Sequence, residues 1–362
     1  MKTFILLCLL FISGLLQAQT NDLLPDKLII GYPVFFSNSD SELNYRFQNS
    51  LVLDNEQYGK EFIGISLAKK AVQNELTVYE PYINKYYPYS VFDTEAVNLN
   101  ELKERLGCQT DTLINWTEDS DNQSEITRKA IDYTEIRSLY FTEAWNFDSE
   151  TLVFEKDIIA ISPIREYYRE SGFGDESKRF AKAFRSLYPD DLGFFKKRRS
   201  EKNMEIRNTI VYECLLVDNE QIFYDIVNLE VSNAPFLTSH SREKLFRGLI
   251  EPVLSGKLKA YSYPDEESLS VNEIEKALGL SIDTVYSVDP DTGETIILLT
   301  EQILDYHQLK SILFFEDWYY DPKTTRMKKE VKALAPVRHY YSEEDYDMEN
   351  PIKQIVFKFY LK

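Results

Sequence analysis

The spacing of apolar residues predicts one short amphipathic helix in each half of the chain. Leu99, Leu102 and Leu106 recur at i, i+3 and i+7, which places them on one face of a helix. The pattern returns further along the chain, again with residues suited to capping the helix and a glycine suited to ending it. The second stripe is Val271, Ile274 and Leu278; the capping pairs are Asn98 with Glu101 and Ser270 with Glu273; the glycines are Gly107 and Gly279.

An aromatic stretch follows each helix and predicts a β-hairpin. Ser138–Phe147 is rich in aromatic and aliphatic residues, a polar turn follows, and a second β-rich run reaches Pro163. Ser311–Tyr320 begins the same pattern in the second half, where the second run reaches Pro336. Because proline donates no hydrogen bond to a strand ladder, we expect pairing to end there and the following Arg-x-Tyr-Tyr to leave the sheet.

The two helices and two hairpins belong to an internal duplication. Phe141–Tyr168 aligns with Phe314–Tyr341 at an offset of 173 residues, and Glu143, Trp145 and Pro163 of the first segment coincide with Glu316, Trp318 and Pro336 of the second. Upstream, LVLDNEQ at Leu51–Gln57 resembles LLVDNEQ at Leu215–Gln221, an alignment that sets Cys214 opposite Ser50. Two copies with so long a period indicate two similar domains, not a solenoid.

The order of strand, helix, strand, helix and hairpin predicts an α+β fold with two tandem, similar small domains, each with short helices and an antiparallel sheet ending in a hairpin. Lys2, the apolar run Phe4–Leu16 and the small-residue region near Ala18 predict a secretory signal peptide. The predicted division is a signal peptide at 1–18, a first repeat at 19–170, a linker with an amphipathic helix (Glu176–Leu187) at 171–204, a second repeat at 205–345 and a C-terminal tail at 346–362.

The signal peptide, the net charge and the cysteine content limit where the protein is located and which classes of partner it can bind. The signal peptide predicts export to the periplasm, and no later segment is apolar enough for direct membrane insertion. A formal net charge of -19 argues against nucleic acid or an anionic membrane surface as a partner. In the mature chain only Cys108 and Cys214 remain, either as small buried side chains or as an inter-domain disulfide.

The sequence offers no enzymatic constellation. His240, His307 and His339 are the three histidines, and none has a histidine at the equivalent position of the other copy. Glycine-rich phosphate loops, nucleophile elbows and metal-ligand spacings are absent from the sequence. We therefore predict no catalytic residues, no cofactor and no metal, and we give an enzyme the lowest rank among the functions considered.

Tyrosine and arginine side chains form the candidate contact surface for a protein partner, because both residue types are favoured at interface hot spots. Trp145 and Trp318 lie mid-strand in the predicted hairpins, so we expect them in the core. The six candidate contact residues are Arg165, Tyr167, Tyr168, Arg338, Tyr340 and Tyr341.

Short Asp-Thr-aliphatic triplets stand at Asp111–Leu113 and Asp283–Val285. They match a pattern for O-glycosylation in some bacteria, and they equally suit a plain connection from helix to strand. Three residues are easily matched by chance, so both interpretations stay open.

Several blocks of the second half resemble the GldN/PorN family of the gliding motility and type IX secretion machinery of Bacteroidota. They are KLKAYSYPDEE at Lys257–Glu267, TGET at Thr292–Thr295, EDWYYD at Glu316–Asp321 and ALAPV at Ala333–Val337. The first half matches more weakly, through EAWNFD at Glu143–Asp148 and IAISPI at Ile159–Ile164.

The resemblance implies a non-enzymatic periplasmic scaffold or adaptor that contacts an outer-membrane lipoprotein, here as a divergent tandem duplication. A secreted carbohydrate- or peptide-binding module is the alternative, with exposed tyrosines as its stacking platform. A glycan panel would separate the two hypotheses.

Overall fold

The computed structural model describes residues 28–35, 63–81, 95–115, 123–148, 150–170, 176–187, 205–216, 239–280, 282–288, 295–301, 303–321, 324–341 and 351–361. The predicted signal peptide and the Leu51–Gln57 block lie outside these ranges. Within them the chain forms two similar halves, which we call the first copy and the second copy, each with one antiparallel sheet, short helices and a separate two-stranded ribbon. The predicted α+β fold is confirmed.

The first copy contains seven strands and two α-helices within the described ranges. Its main sheet is built from β1 (Leu28–Phe35), β4 (Ile136–Asp148), β5 (Val153–Glu170), β6 (Glu176–Lys182) and β7 (Ser186–Leu187). The strand order is β1-β4-β5-β6, and β7 also pairs with β5. The helices are α1 (Ile63–Val72) and α2 (Leu99–Arg105), and the ribbon is β2 (Gln109–Asn115) with β3 (Gln123–Lys129).

The second copy repeats this architecture. Its main sheet is built from β8 (Glu205–Leu215), β11 (Leu309–Asp321), β12 (Arg326–Tyr340), β13 (Ile352–Ile355) and β14 (Phe359–Tyr360). The order is β8-β11-β12-β13, and β14 also pairs with β12. The helices are α3 (Ser239–Leu254) and α4 (Val271–Ala277), and the ribbon is β9 (Ile282–Val288) with β10 (Thr295–Glu301).

Local signals set the ends of α2 and α4 as predicted. The side chain of Asn98 accepts a hydrogen bond from the Glu101 amide at 3.0 Å, and Ser270 with Glu273 forms a complete capping box. Gly107 and Gly279 follow the helices in the left-handed region, at φ +90° and +79°. Both helices are therefore bounded by residues that satisfy their end groups.

The hairpins are present, but the expected ending of their second strands is wrong. Pro163 pairs with Leu139 inside β5, which continues to Glu170. Opposite Pro163 the neighbouring strand is interrupted between β6 and β7, and the Ala183 amide donates to the Pro163 carbonyl at 3.0 Å. The nitrogen of the proline faces this interruption, so its missing N–H breaks no ladder. Pro336 occupies the same place between β13 and β14.

The amphipathic helix predicted at Glu176–Leu187 is also wrong. This segment forms β6 and β7 and pairs with the free edge of β5. The hydrogen-bonding edge of a long strand outweighs a weak local preference for helix. The segment 346–362, predicted to be a tail, likewise supplies β13 and β14 to the second sheet. The other predicted boundaries stay predictions.

Strand register corrects the alignment of the first strands. Val34 of β1 pairs with Leu139, and Cys214 of β8 pairs with Ile312, the residue equivalent to Leu139. Cys214 therefore corresponds to Val34 and not to Ser50. The Leu51–Gln57 block lies outside the described residues, so the corrected correspondence rests on the pairing of β1 and β8 with the equivalent strands β4 and β11.

One continuous hydrophobic core contains residues of both copies. Trp145 and Trp318 are each 1% exposed, which confirms their predicted core position. Each tryptophan packs edge-on against a phenylalanine of the other copy, with ring centroids 5.0 Å apart for Trp145–Phe314 and 5.1 Å for Phe141–Trp318. The two sheets therefore join through their inner faces.

Candidate functional site

The six candidate contact residues lie towards the C-terminal ends of β5 and β12, with Tyr341 directly after β12. Tyr168 is 66% exposed and Tyr341 is 40% exposed, so both offer an aromatic ring to solvent. Tyr167 and Tyr340 are half-buried, and each lies beneath the guanidinium of the arginine two residues before it. We call this set of six residues the tyrosine edge. Its role in binding stays a prediction.

The arginines of the tyrosine edge also have a role inside each copy. Arg165 is buried, pairs with Glu135, and lies so close to Gly107 that an added Cβ would be 2.6 Å from its Nη2. Arg338 packs on Gly279 in the same way and donates from Nε to Gln308 at 2.6 Å. A cation at a helix C-terminus also interacts favourably with the helix dipole. Both arginines thus hold the end of a helix against the sheet.

A second group of polar residues lies between the copies and was not singled out from the sequence. Lys156 of the first copy forms an ion pair with Glu316 of the second at 2.6 Å. Lys329 of the second copy forms an ion pair with Glu143 of the first at 2.7 Å. All four side chains are fully buried. We call these four residues the charge cluster; each copy contributes one acid and one base, and every pair crosses between copies.

Tryptophans and tyrosines satisfy the remaining oxygens of the charge cluster. In each copy the tryptophan Nε1 donates to its own copy's glutamate at 2.8 Å. Tyr32 donates to Glu143 at 2.6 Å and Tyr212 to Glu316 at 3.0 Å, and the two hydroxyls lie 2.8 Å apart. Lys156 also donates to Tyr212 and Lys329 to Tyr32, at 2.9 and 3.0 Å.

Aromatic faces complete the environment of the two lysines. Nζ of Lys156 lies 3.0 Å from the ring centroid of Phe314, and Nζ of Lys329 lies 3.2 Å from that of Phe141. Such cation–π contacts strengthen when water is excluded. Each lysine also lies over the tryptophan of its own copy, at 4.4 Å for Lys156–Trp145 and 4.3 Å for Lys329–Trp318, so aromatic rings of both copies surround it.

Glu143 of the charge cluster is ionised, while burial lowers the pKa of Lys329 to about 8 against the opposing effect of Glu143 and Glu316. Burial alone would raise the pKa of Glu143, but the ammonium groups of Lys329 and Lys156 outweigh burial and hold that pKa below its usual value. Burial raises the pKa of Tyr32 and of Tyr212 well above the usual value, with the nearby carboxylates adding to the effect, so both hydroxyls keep their protons. These buried polar contacts therefore hold the inner faces of the two sheets together.

Aligning the sequences of the two copies could have indicated the charge cluster. Lys156 and Lys329 stand at equivalent positions of β5 and β12, as Glu143 and Glu316 do in β4 and β11. A charge retained by both copies at an inward strand position needs a buried partner. Taken singly, each residue resembles a common surface charge, which is why it was missed.

A separate carboxylate on the second copy predicts acid sensitivity. Burial would raise the pKa of Glu213, but the hydrogen bond with His339 and the nearby Lys353 ammonium outweigh burial and lower it to about 2. A lowered pKa adds stability above the unfolded-state value, roughly 4.3, and that stability is lost as pH falls towards 2. We expect Glu213→Gln to reduce the free energy of unfolding by about 1–3 kcal/mol at pH 7 and by little near pH 2.

Urea unfolding of both proteins across this pH range checks the Glu213 prediction. A gap between wild type and Glu213→Gln that stays constant down to pH 2 would contradict it. The first copy has Pro33 at the equivalent strand position, so the effect belongs to the second copy alone.

The other chemical groups considered give no further site among the described residues. Cys214 is 1% exposed, Cys108 is half-buried, and both are free thiols. The described part of the chain holds no cluster of three or more side chains suited to a metal ion. The triplet at Asp111–Leu113 lies in β2, and its side chains fall outside the description.

Comparison with known proteins assigns the family. The family model described as "Gliding motility associated protein GldN" matches residues 41–207 and 219–360. The chain belongs to the GldN family. No curated protein matches the chain. The two matched segments follow the two copies, with β8 crossing the boundary between them.

One of the blocks that resemble GldN, Glu316–Asp321, contributes Glu316 to the charge cluster. Within this block Trp318 donates its Nε1 hydrogen bond to Glu316. In the first copy the equivalent Trp145 donates to Glu143 in the same way. This GldN motif therefore forms the contact between copies. Among the described helices, none combines the length and apolarity needed to span a membrane.

Proposed function

We propose that this GldN-family chain is a non-enzymatic periplasmic scaffold or adaptor of the type IX secretion and gliding motility machinery, and that it binds an outer-membrane lipoprotein through protein–protein contacts. The family match over both copies carries the proposal. It is supported by the fully buried charge cluster, because a scaffold needs a fixed spacing between its contact surfaces.

The tyrosine edge is our proposed surface for that partner. Tyr168 and Tyr341 are exposed at the equivalent ends of the two sheets, and tyrosine provides a large contact area at a low cost in side-chain entropy. The first copy's edge extends further, since β5 pairs with β6 as far as Glu170 whereas β12 ends at Tyr340. We therefore expect Tyr168 to contribute more than Tyr341.

Affinity purification of the tagged protein from the cross-linked envelope of its own host tests the partner. We expect recovery of an outer-membrane lipoprotein together with other type IX components, with cross-links near the ends of β5 and β12. Recovery of the protein alone would favour the freestanding carbohydrate- or peptide-binding module.

Replacing Tyr168 and Tyr341 by Ala should reduce recovery of the partner several-fold, because exposed tyrosines contribute to binding and little to folding. The free energy of unfolding should change by less than about 0.5 kcal/mol per site. Tyr360→Ala is the matched control, since Tyr360 is 47% exposed but lies on β14, outside the tyrosine edge. Equal loss of recovery in the control, or loss of folding in the double variant, would contradict the prediction.

A further inference from the structure

The surface that joins the copies is self-complementary. Each copy presents a glutamate, a lysine, a tryptophan and a tyrosine at equivalent positions, and each group bonds to the same partners as its counterpart. Tyr32 and Tyr212 stack on one another with ring centroids 5.8 Å apart, where the two sets of contacts meet. These reciprocal contacts are those of an isologous interface with an approximate twofold axis.

The same reciprocity extends to the helices beside the sheets. Gly248 on α3 of the second copy lies against Phe147 at the end of β4, where an added Cβ would be 3.5 Å from the ring. Ser66 on α1 of the first copy lies 3.5 Å from the hydroxyl of Tyr320 at the end of β11. Phe147 and Tyr320 are equivalent residues, so each copy places a helix on the other copy's strand.

We propose that this interface is a recognition surface for a half of a second copy of this chain, and not only an internal packing surface. The two ion pairs, the two lysine–tyrosine hydrogen bonds and the tyrosine stack all join one copy to the other. In the intact chain the covalently attached half is favoured by its effective concentration. Once the covalent link is cut, halves of different molecules should pair with the same contacts.

A cut full-length chain tests this proposal. A protease site is inserted between Leu187 and Glu205, and the folded protein is cleaved and checked for co-elution of its halves. A batch with a tag on its second half is then mixed with an isotopically heavy, untagged batch. Mass spectrometry measures how many heavy first halves are recovered with the tagged second halves. We expect the cut halves to stay together and to exchange towards the statistical mixture. Separation of the halves on cutting, or no exchange after prolonged mixing, would overturn the proposal.

Charge reversal tests whether the charge cluster selects the partner half. A batch carrying Lys156→Glu with Glu316→Lys keeps opposite charges within itself but brings like charges together when paired with wild-type halves. We expect it to exchange with wild-type halves at least about tenfold less than wild type does. Equal exchange would overturn the role of the charges. If this variant does not fold in a thermal melt, Glu143→Lys with Lys329→Glu replaces it at the equivalent pair.

Discussion

Replacing Lys156 by Met should lower the free energy of unfolding by about 3–5 kcal/mol, because it leaves the carboxylate of Glu316 buried without its cation. The two side chains are fully buried and 2.6 Å apart, so water cannot replace the lost ammonium. The lysine also donates to Tyr212, which loses that contact as well. Guanidinium or urea unfolding at pH 7 gives the measurement.

Two further variants separate charge from packing in the Lys156 prediction. Lys329→Met should cost about as much as Lys156→Met, since it removes the equivalent ion pair with Glu143. Adding Glu316→Gln to Lys156→Met should recover at least about 1.5 kcal/mol, because Gln keeps an acceptor for Trp318 and Tyr212 without a buried charge.

The surface control for the Lys156 prediction is Lys332→Met. Lys332 pairs with Glu330 at 2.8 Å but its side chain is 44% exposed, so its loss should cost less than about 0.5 kcal/mol. A Lys156→Met effect no larger than that of the control would mean that the charge cluster does not hold the copies together.

Signals confined to a few neighbouring residues predicted the structure well. Asn98, Ser270 and the two helix-ending glycines each act through the adjacent backbone, so their roles could be inferred without knowing the fold. The internal duplication strengthened these inferences because two different sequences retained the same caps. The hairpins followed from residue composition and spacing for the same reason.

Features that depend on distant partners could not be predicted. Pro163 remains inside β5 because a neighbouring strand breaks opposite it, and nothing near the proline in sequence indicates that break. Lys182 is 2% exposed and lies in the segment predicted to be an amphipathic helix, which instead forms β6 and pairs with β5. Predicting the charge cluster requires knowing which faces of the two sheets meet, and the whole tertiary arrangement decides that.

Replacing Gly279 by Ala should lower the free energy of unfolding by about 2–4 kcal/mol, for two reasons that add. The residue has φ +79°, where a side chain costs about 1–2 kcal/mol. The new Cβ would also meet the guanidinium of Arg338, which is held by its hydrogen bond to Gln308 and its contact with the Tyr340 ring. Gly107→Ala should behave similarly through Arg165.

Gly256→Ala isolates the backbone contribution to the Gly279 effect. Gly256 has φ +72°, yet an added Cβ would have no neighbour within 4 Å, so only the conformational cost of about 1–2 kcal/mol remains. A double-mutant cycle with Arg338→Ala should show a coupling of at least about 1 kcal/mol, because removing the guanidinium makes room for the methyl group. If Gly279→Ala and Gly256→Ala cost the same, the arginine does not hold the helix end, and Arg338 would be free to contribute fully to a partner contact at the tyrosine edge.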